Sequence, residues 1–290
     1  MVIIFSATGG WPVEFQYILA SYKYATKSVR NNCGSMITGV WMPGKMIIDS
    51  AFGDDSITNR MLIERAISVN VDIIVPKDYP GDIPSTIDSI NEFFAIYPEY
   101  HNTYGEIDRR DAKRPREFLI PLQYPYANCF CDAVKQFDYF ALGGLVGLPE
   151  KQQLKRIKEG TKLLCSCNKR VHLFGIYPTG DILQFIWDHP DVIYSLDTSV
   201  PEFDAKHGKI MDVNGQKFPV GNTLGKHTTH MRHILARYNL EMLSARVNYR
   251  DLGEATSGKG GIAVHVKHPP KKGSAYKTLF PLNEIEYHGE

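Results

Sequence analysis

The fold class this sequence predicts is α/β, a single-domain (β/α)8 TIM-like barrel with a helical C-terminal region, and three observations predict it. Short β-branched or aromatic runs alternate with longer segments of helical period, the pattern of a parallel sheet with crossover helices. The principal competitor, a doubly wound open sheet, lacks its GxGxxG fingerprint after the first apolar run. Polar residues also recur at the C-terminal ends of separate strands, where closed parallel barrels gather their functional groups.

Taken in order, strands are expected at 2–6 (VIIFS), 45–49 (KMIID), 71–77 (VDIIVPK), 118–123 (FLIPLQ), 138–142 (DYFAL), 171–176 (VHLFGI) and 192–197 (VIYSLD). That is one short of eight, and the missing strand is expected in the 205–225 region or after residue 260. Between the strands, 84–97 spaces Ile87, Ile90, Phe94 and Tyr97 along one helical face, with Pro84 suited to a first turn. Segments 58–69, 127–137, 150–164 and 180–188 read as helices too, as does 227–247 with Met231, Ile234, Leu235, Tyr238, Met242 and Leu243. The barrel is expected over residues 1–255. A C-terminal extension follows at 256–290, packing on the barrel or partly mobile, and 267–277 (KHPPKKGSAYK) is its most biased stretch.

With 43% hydrophobic and 22% charged residues the chain has the composition of a globular protein able to bury a full core. A net charge of +1 means that any grip on a polyanion comes from a local basic patch rather than from a global field. The N-terminal apolar run has no basic region before it and reads as a strand, and no stretch approaches the ~18 apolar residues of a membrane span. A soluble protein of the cytoplasm is expected, the host cytoplasm if it is phage-encoded. Five cysteines, an odd number, read as free thiols rather than a disulfide framework.

Asp49, Asp78, Gln123, the Gly143-Gly144 pair and Asp197 each stand at or just beyond the end of a different expected strand. In a closed barrel these ends share one mouth. Each admits a plainer reading: an aspartate after a strand is a common turn former or helix cap, as Asp54, Asp55 and Asp82 look to be, and Gly143-Gly144 fits a tight turn. Thr198 and Ser199, following Asp197, are hydroxyls suited to capping a helix.

The segments MIIDSAF (46–52), VPKDYPGD (75–82), IPLQ (120–123), ALGGLVG (141–147), RVHLFGI (170–176) and YSLDTS (194–199) occur in this order, each at a strand end. Together they resemble the barrel motifs of the queuine/archaeosine (tRNA-guanine) transglycosylase family. The resemblance covers roughly residues 45–200 and extends more weakly into the 227–247 helix. Members acting on transfer RNA carry a zinc subdomain after the nucleophile, with a CxCxxC run. Here no cysteine follows Cys167, and Cys129, Cys131, Cys165 and Cys167 all precede RVHLFGI. A tetrahedral site needs about four N/S ligands, so no zinc subdomain is expected. His227, His230 and His233 recur at helical spacing, a pattern that suits a solvated helix face or a metal. Without the zinc region the chain is most similar to the phage-type DNA 7-deazaguanine transglycosylases.

The resemblance implies a double displacement at the sugar's anomeric carbon, with Asp197 as nucleophile and Asp49 as acid/base. It also implies a purine pocket of Asp78, Gln123 and the Gly143-Gly144-Leu145 backbone, with Leu145 beside the group on position seven and Ser50 and Phe52 nearby. Phe52 and Tyr79 are candidate stacking partners. Nucleic-acid contacts are expected from Arg109, Arg110, Lys113, Arg114 and Arg116 and from tail lysines including Lys271 and Lys272, although a charge run is often only a solvated face. The implied partners are DNA and a free 7-deazaguanine base, with no organic cofactor. Transfer RNA is the alternative substrate, and a non-catalytic nucleic-acid-binding barrel or an unrelated barrel hydrolase are the competing readings.

Overall fold

A computed structural model describes residues 1–8, 15–37, 40–50, 54–105, 116–220 and 229–250. The chain begins with β1 (Ile3–Thr8), β2 (Tyr17–Ser21), α1 (Lys27–Asn31), the hairpin strands β3 (Gly34–Ile37) and β4 (Val40–Pro43), and β5 (Lys45–Asp49). It continues through α2 (Asn59–Val69), β6 (Ile73–Ile74), α3 (Ile83–Gly105), β7 (Glu117–Phe118), β8 (Ile120–Leu122), α4 (Tyr126–Cys129) and α5 (Asp132–Lys135). The second half runs β9 (Tyr139–Leu142), α6 (Glu150–Cys165), β10 (Arg170–Leu173), α7 (Gly180–Asp188), β11 (Ile193–Thr198) and α8 (Val200–Lys206). A small hairpin of β12 (Lys209–Met211) and β13 (Lys217–Pro219) then leads to α9 (Thr229–Asn248).

Nine strands form one parallel sheet in the order β7-β6-β5-β2-β1-β11-β10-β9-β8, a nearly closed barrel with helices outside. β1 pairs with β2 on one side and with β11, near the end of the barrel sequence, on the other. The two ends of the strand order are separated by Leu119 alone, whose N–H donates to the Ile74 carbonyl at 3.0 Å.

All seven sequence-predicted strands correspond to barrel strands, some with altered bounds. The 71–77 run keeps ladder pairing only at Ile73–Ile74, and 118–123 is divided at Leu119. The strand missing from the sequence reading is β2, not a segment of 205–225. Only five residues long, it is separated from β1 by eight residues (9–16), too few for the strand–helix–strand spacing that the sequence reading follows. The strands that do occur in 205–225, β12 and β13, pair antiparallel with each other outside the barrel. Residues beyond 250 lie outside the described set.

Alternation along each strand sorts residues between two cores. Phe5, Leu19, Ile47, Leu119, Tyr139 and Ala141 fill the barrel interior. Their neighbours Ile4, Ile48, Leu122, Leu142, Leu173 and Leu196 face outward beneath the helices. At the N-terminal end, Glu117 lies 3.5 Å from Lys45 and 3.6 Å from Arg170. The Arg170 guanidinium also covers the rings of Tyr139 and Tyr194, at 4.6 and 5.0 Å. These side chains form a floor at the N-terminal end of the barrel.

Helix α9 closes the structure over this frame. Asn248 grips the start of β1, accepting from Val2 N at 2.7 Å and donating to Val2 O at 3.1 Å. Asn239, fully buried, accepts from Met211 N at 2.8 Å and donates to the carbonyls of Lys209 and Pro201 at 3.0 and 3.3 Å.

Candidate active site

Strand alternation sets which side chains reach the inner rim at the C-terminal end. Asp49 shares the face of Ile47, Gln123 that of Leu119, Gly143 that of Ala141, and Asp197 lies opposite outward-facing Leu196. Asp49 and Asp197 thus both face the barrel axis. Asp49 is half-buried, and its Oδ1 accepts from the N–H of buried Ser50 at 2.7 Å.

Asp197 is held by two donors. The N–H of Gly175, in the turn after β10, donates to Oδ1 at 3.0 Å. The same oxygen meets His172 Nε2 at 3.0 Å. Gly175 has φ +63°, and a Cβ there would lie 2.5 Å from the Val146 side chain, so this turn favours glycine. His172 is completely buried between Phe5 and Phe174, and its Nδ1 lies 2.7 Å from Ser195 Oγ. Ser195 Oγ in turn meets Tyr139 OH at 2.5 Å. Four side chains from β9, β10 and β11 therefore form one chain ending on the carboxylate.

Beyond β6 and β8 the structure joins Asp78 to Gln123: Nε2 donates to Asp78 Oδ2 at 2.6 Å, and Gln123 Oε1 accepts from Gly81 N at 3.3 Å. Burial pushes the Asp78 carboxyl up to about 6. Gly143 sits against this pair, since a Cβ there would lie 3.0 Å from Gln123 Nε2. The following turn is held from outside: Arg156 donates to Gly144 O at 2.6 Å while lying over Tyr124, and Gln153 donates to Leu145 O at 3.0 Å. Gly144 has φ +68°, so its place in the turn favours glycine.

The Leu145 side chain is fully buried in the outer core with Ile157 and Ile176, which leaves the backbone, the part expected to meet a base, at the turn. Arg116 precedes β7 and so lies at the floor end, where its Nε donates to Val71 O at 3.3 Å. A residue on the N-terminal side of a barrel strand is a full strand length from the mouth. Arg109, Arg110, Lys113, Arg114, Phe52, Lys271 and Lys272 lie outside the described residues.

The plainer readings hold for Asp82 and Asp54. Asp82 accepts from Ser85 N and Oγ at the start of α3, and Asp54 accepts from Ser56 and pairs with Lys23. Thr198 Oγ1 accepts from Val200 N at the start of α8, whereas Ser199, the N-cap residue itself, makes no side-chain capping bond. Tyr79 lies under the Lys77 ammonium, 4.9 Å from the ring centre. All five cysteines are free thiols. Among the described residues no group of three or more His, Cys, Asp or Glu is arranged to hold a metal, and no helix is long and apolar enough to cross a membrane. On α9, His230 is exposed and His233 half-buried; His227 lies outside the described residues.

Sequence reasoning missed His172 and Phe174. Both stand at alternate positions of RVHLFGI, facing the interior, and that period-2 spacing was the available signal. Phe174 adds a half-buried aromatic ring at the mouth.

Fold and rim together define a parallel α/β barrel with carboxylate and amide side chains collected at the C-terminal ends of its strands. No protein-family model matches the chain, and no curated protein matches it in sequence.

Proposed function

We propose that this protein is a guanine transglycosylase that replaces a guanine in DNA with a 7-deazaguanine through a covalent intermediate on Asp197. In this reading β7 and β8 count as one interrupted strand, giving eight staves in a single catalytic domain. The observation that carries it is the state of Asp197: an inward carboxylate at the rim, 7% exposed, with two donors on Oδ1. Breaking an N-glycosidic bond develops positive charge on the sugar, and a fixed carboxylate can trap that carbon, dividing one hard step into two easier ones.

Asp49 protonates the departing guanine and takes a proton from the incoming base. Asp78 and Gln123 offer an acceptor and a mixed donor/acceptor amide to the purine edge, Gly143 admits the base at close range, and Phe174 provides a ring to stack on. The target nucleotide must leave its stack to enter the barrel. Exchange of one glycosidic bond for another needs no organic cofactor.

The direct test incubates the protein with duplex DNA, and separately with transfer RNA, carrying labelled guanine, together with several 7-deazaguanines. Label release from DNA is the expected result. Release from RNA alone would transfer the reading to that substrate, and release from neither would leave a binding module.

Asp49→Asn should slow guanine release about 100-fold. Release of 7-methylguanine from the same DNA should suffer much less, because that base is already cationic and leaves without a proton; equal losses would remove Asp49 from its role. A pH dependence follows from Asp78. Its raised carboxyl must be ionised to accept a purine N–H, so binding of free 7-deazaguanine should weaken as pH falls through about 6. Calorimetric titration between pH 5 and 7.5 measures this, and Asp78→Asn should remove the inflection.

A further inference from the structure

We infer that His172 is the positioning residue of Asp197, with its imidazole proton set on Nε2 by Ser195 and Tyr139. The inference rests on the reading of Asp197 as nucleophile only for its catalytic consequence; the proton order follows from hydrogen-bond chemistry alone. A carboxylate oxygen accepts, so the 3.0 Å contact to Asp197 Oδ1 requires a hydrogen on His172 Nε2. In the neutral ring Nδ1 then carries a lone pair, and Ser195 must donate to it across 2.7 Å. With its own hydrogen so committed, Ser195 Oγ accepts from Tyr139 OH. Each hydrogen in the chain then has one acceptor, and all three bonds run in the same direction. The reverse order would leave the Tyr139 hydrogen with no partner among the described residues, at a position wholly enclosed by the barrel.

The order has a consequence for the reaction. Oδ1 is occupied by Gly175 N–H and His172 Nε2–H, so Oδ2 is the attacking oxygen. In the first displacement an Oδ2–carbon bond forms at the anomeric carbon while its bond to the guanine nitrogen breaks. The electron pair leaves with the base, which gains its proton from Asp49. Oδ1 then becomes the carbonyl oxygen of the ester and still accepts from the same two donors. In the second displacement the incoming base, deprotonated by Asp49, forms the new carbon–nitrogen bond and the electron pair returns to Oδ2. No proton moves along the Tyr139–Ser195–His172 chain in either step. It holds the nucleophile in register throughout, and a displacement of about 1 Å at such a group can cost ~100-fold in rate.

The test has two independent readouts. Nitrogen-15 NMR of histidine-labelled protein at neutral pH should show His172 as the Nε2–H tautomer, with the His172→Gln spectrum identifying its signals. Ser195→Ala should give a mixture of tautomers. Adduct formation with guanine-containing DNA, followed by denaturing electrophoresis, should be about 100-fold slower in His172→Phe. In His172→Gln, whose amide N–H can reach Oδ1, it should remain within about tenfold of the parent. Affinity for free 7-deazaguanine should be unchanged in both, separating positioning from general damage. An Nδ1–H tautomer in the parent, or parental adduct rates in His172→Phe, overturns the inference. A parent protein that forms no adduct overturns the transglycosylase reading instead, and the tautomer measurement still decides the proton order.

Discussion

Asp197→Asn is expected to reduce guanine exchange at least about 10⁴-fold and to abolish the covalent protein–nucleic acid adduct while leaving the fold intact. The asparagine carbonyl can still accept from Gly175 N–H and from His172 Nε2, which both meet Oδ1 in the parent. What is lost is the second carboxylate oxygen, replaced by an NH₂ group with no lone pair available for attack. Thermal unfolding within a few degrees of the parent, together with the missing adduct, is the expected pair of results. An adduct that persists in the variant would take the nucleophile's role away from this residue.

Asn239→Ala should produce the largest loss of stability among polar substitutions, about 3 kcal/mol. Truncation leaves the N–H of Met211 without its acceptor and removes the donor shared by the carbonyls of Pro201 and Lys209, in a fully buried environment. For a domain of this size that corresponds to a fall in Tm of roughly 6–12 °C. Differential scanning calorimetry measures it, and a loss under 1 kcal/mol would mean that water reaches the site and replaces the amide. Arg237 and Glu241, an exposed pair one turn apart on the same helix, should contribute a few tenths of a kcal/mol at most.

The seven strands legible from sequence are those whose apolar runs stand isolated between turn residues and helical segments. β2 was not, because it joins the barrel through a short connection and its five residues carry no distinctive pattern of their own. The rim was legible at Asp49, Asp78, Gln123 and Asp197 because each stands at or just beyond the end of a recognisable strand, and for those within strands direction then follows from alternation. The partnership of Asp78 with Gln123, by contrast, is a contact across 45 positions that no local pattern encodes. That the Leu145 side chain fills the layer beneath α6 was not legible, since a turn residue after a strand carries no sign of which layer it packs into. His172 was hidden by its setting, since a histidine in an apolar run reads as core until its neighbours Ser195 and Tyr139 are known.

β1 lies between β2, which follows it directly, and β11, nearly two hundred residues further on. During synthesis one flank of β1 therefore stays unpaired until β11 has been made, and Asn248 reaches Val2 later still. An exposed flank of this kind invites association with other chains, so production at high yield should benefit from slow translation or from chaperones that shield young β-strands.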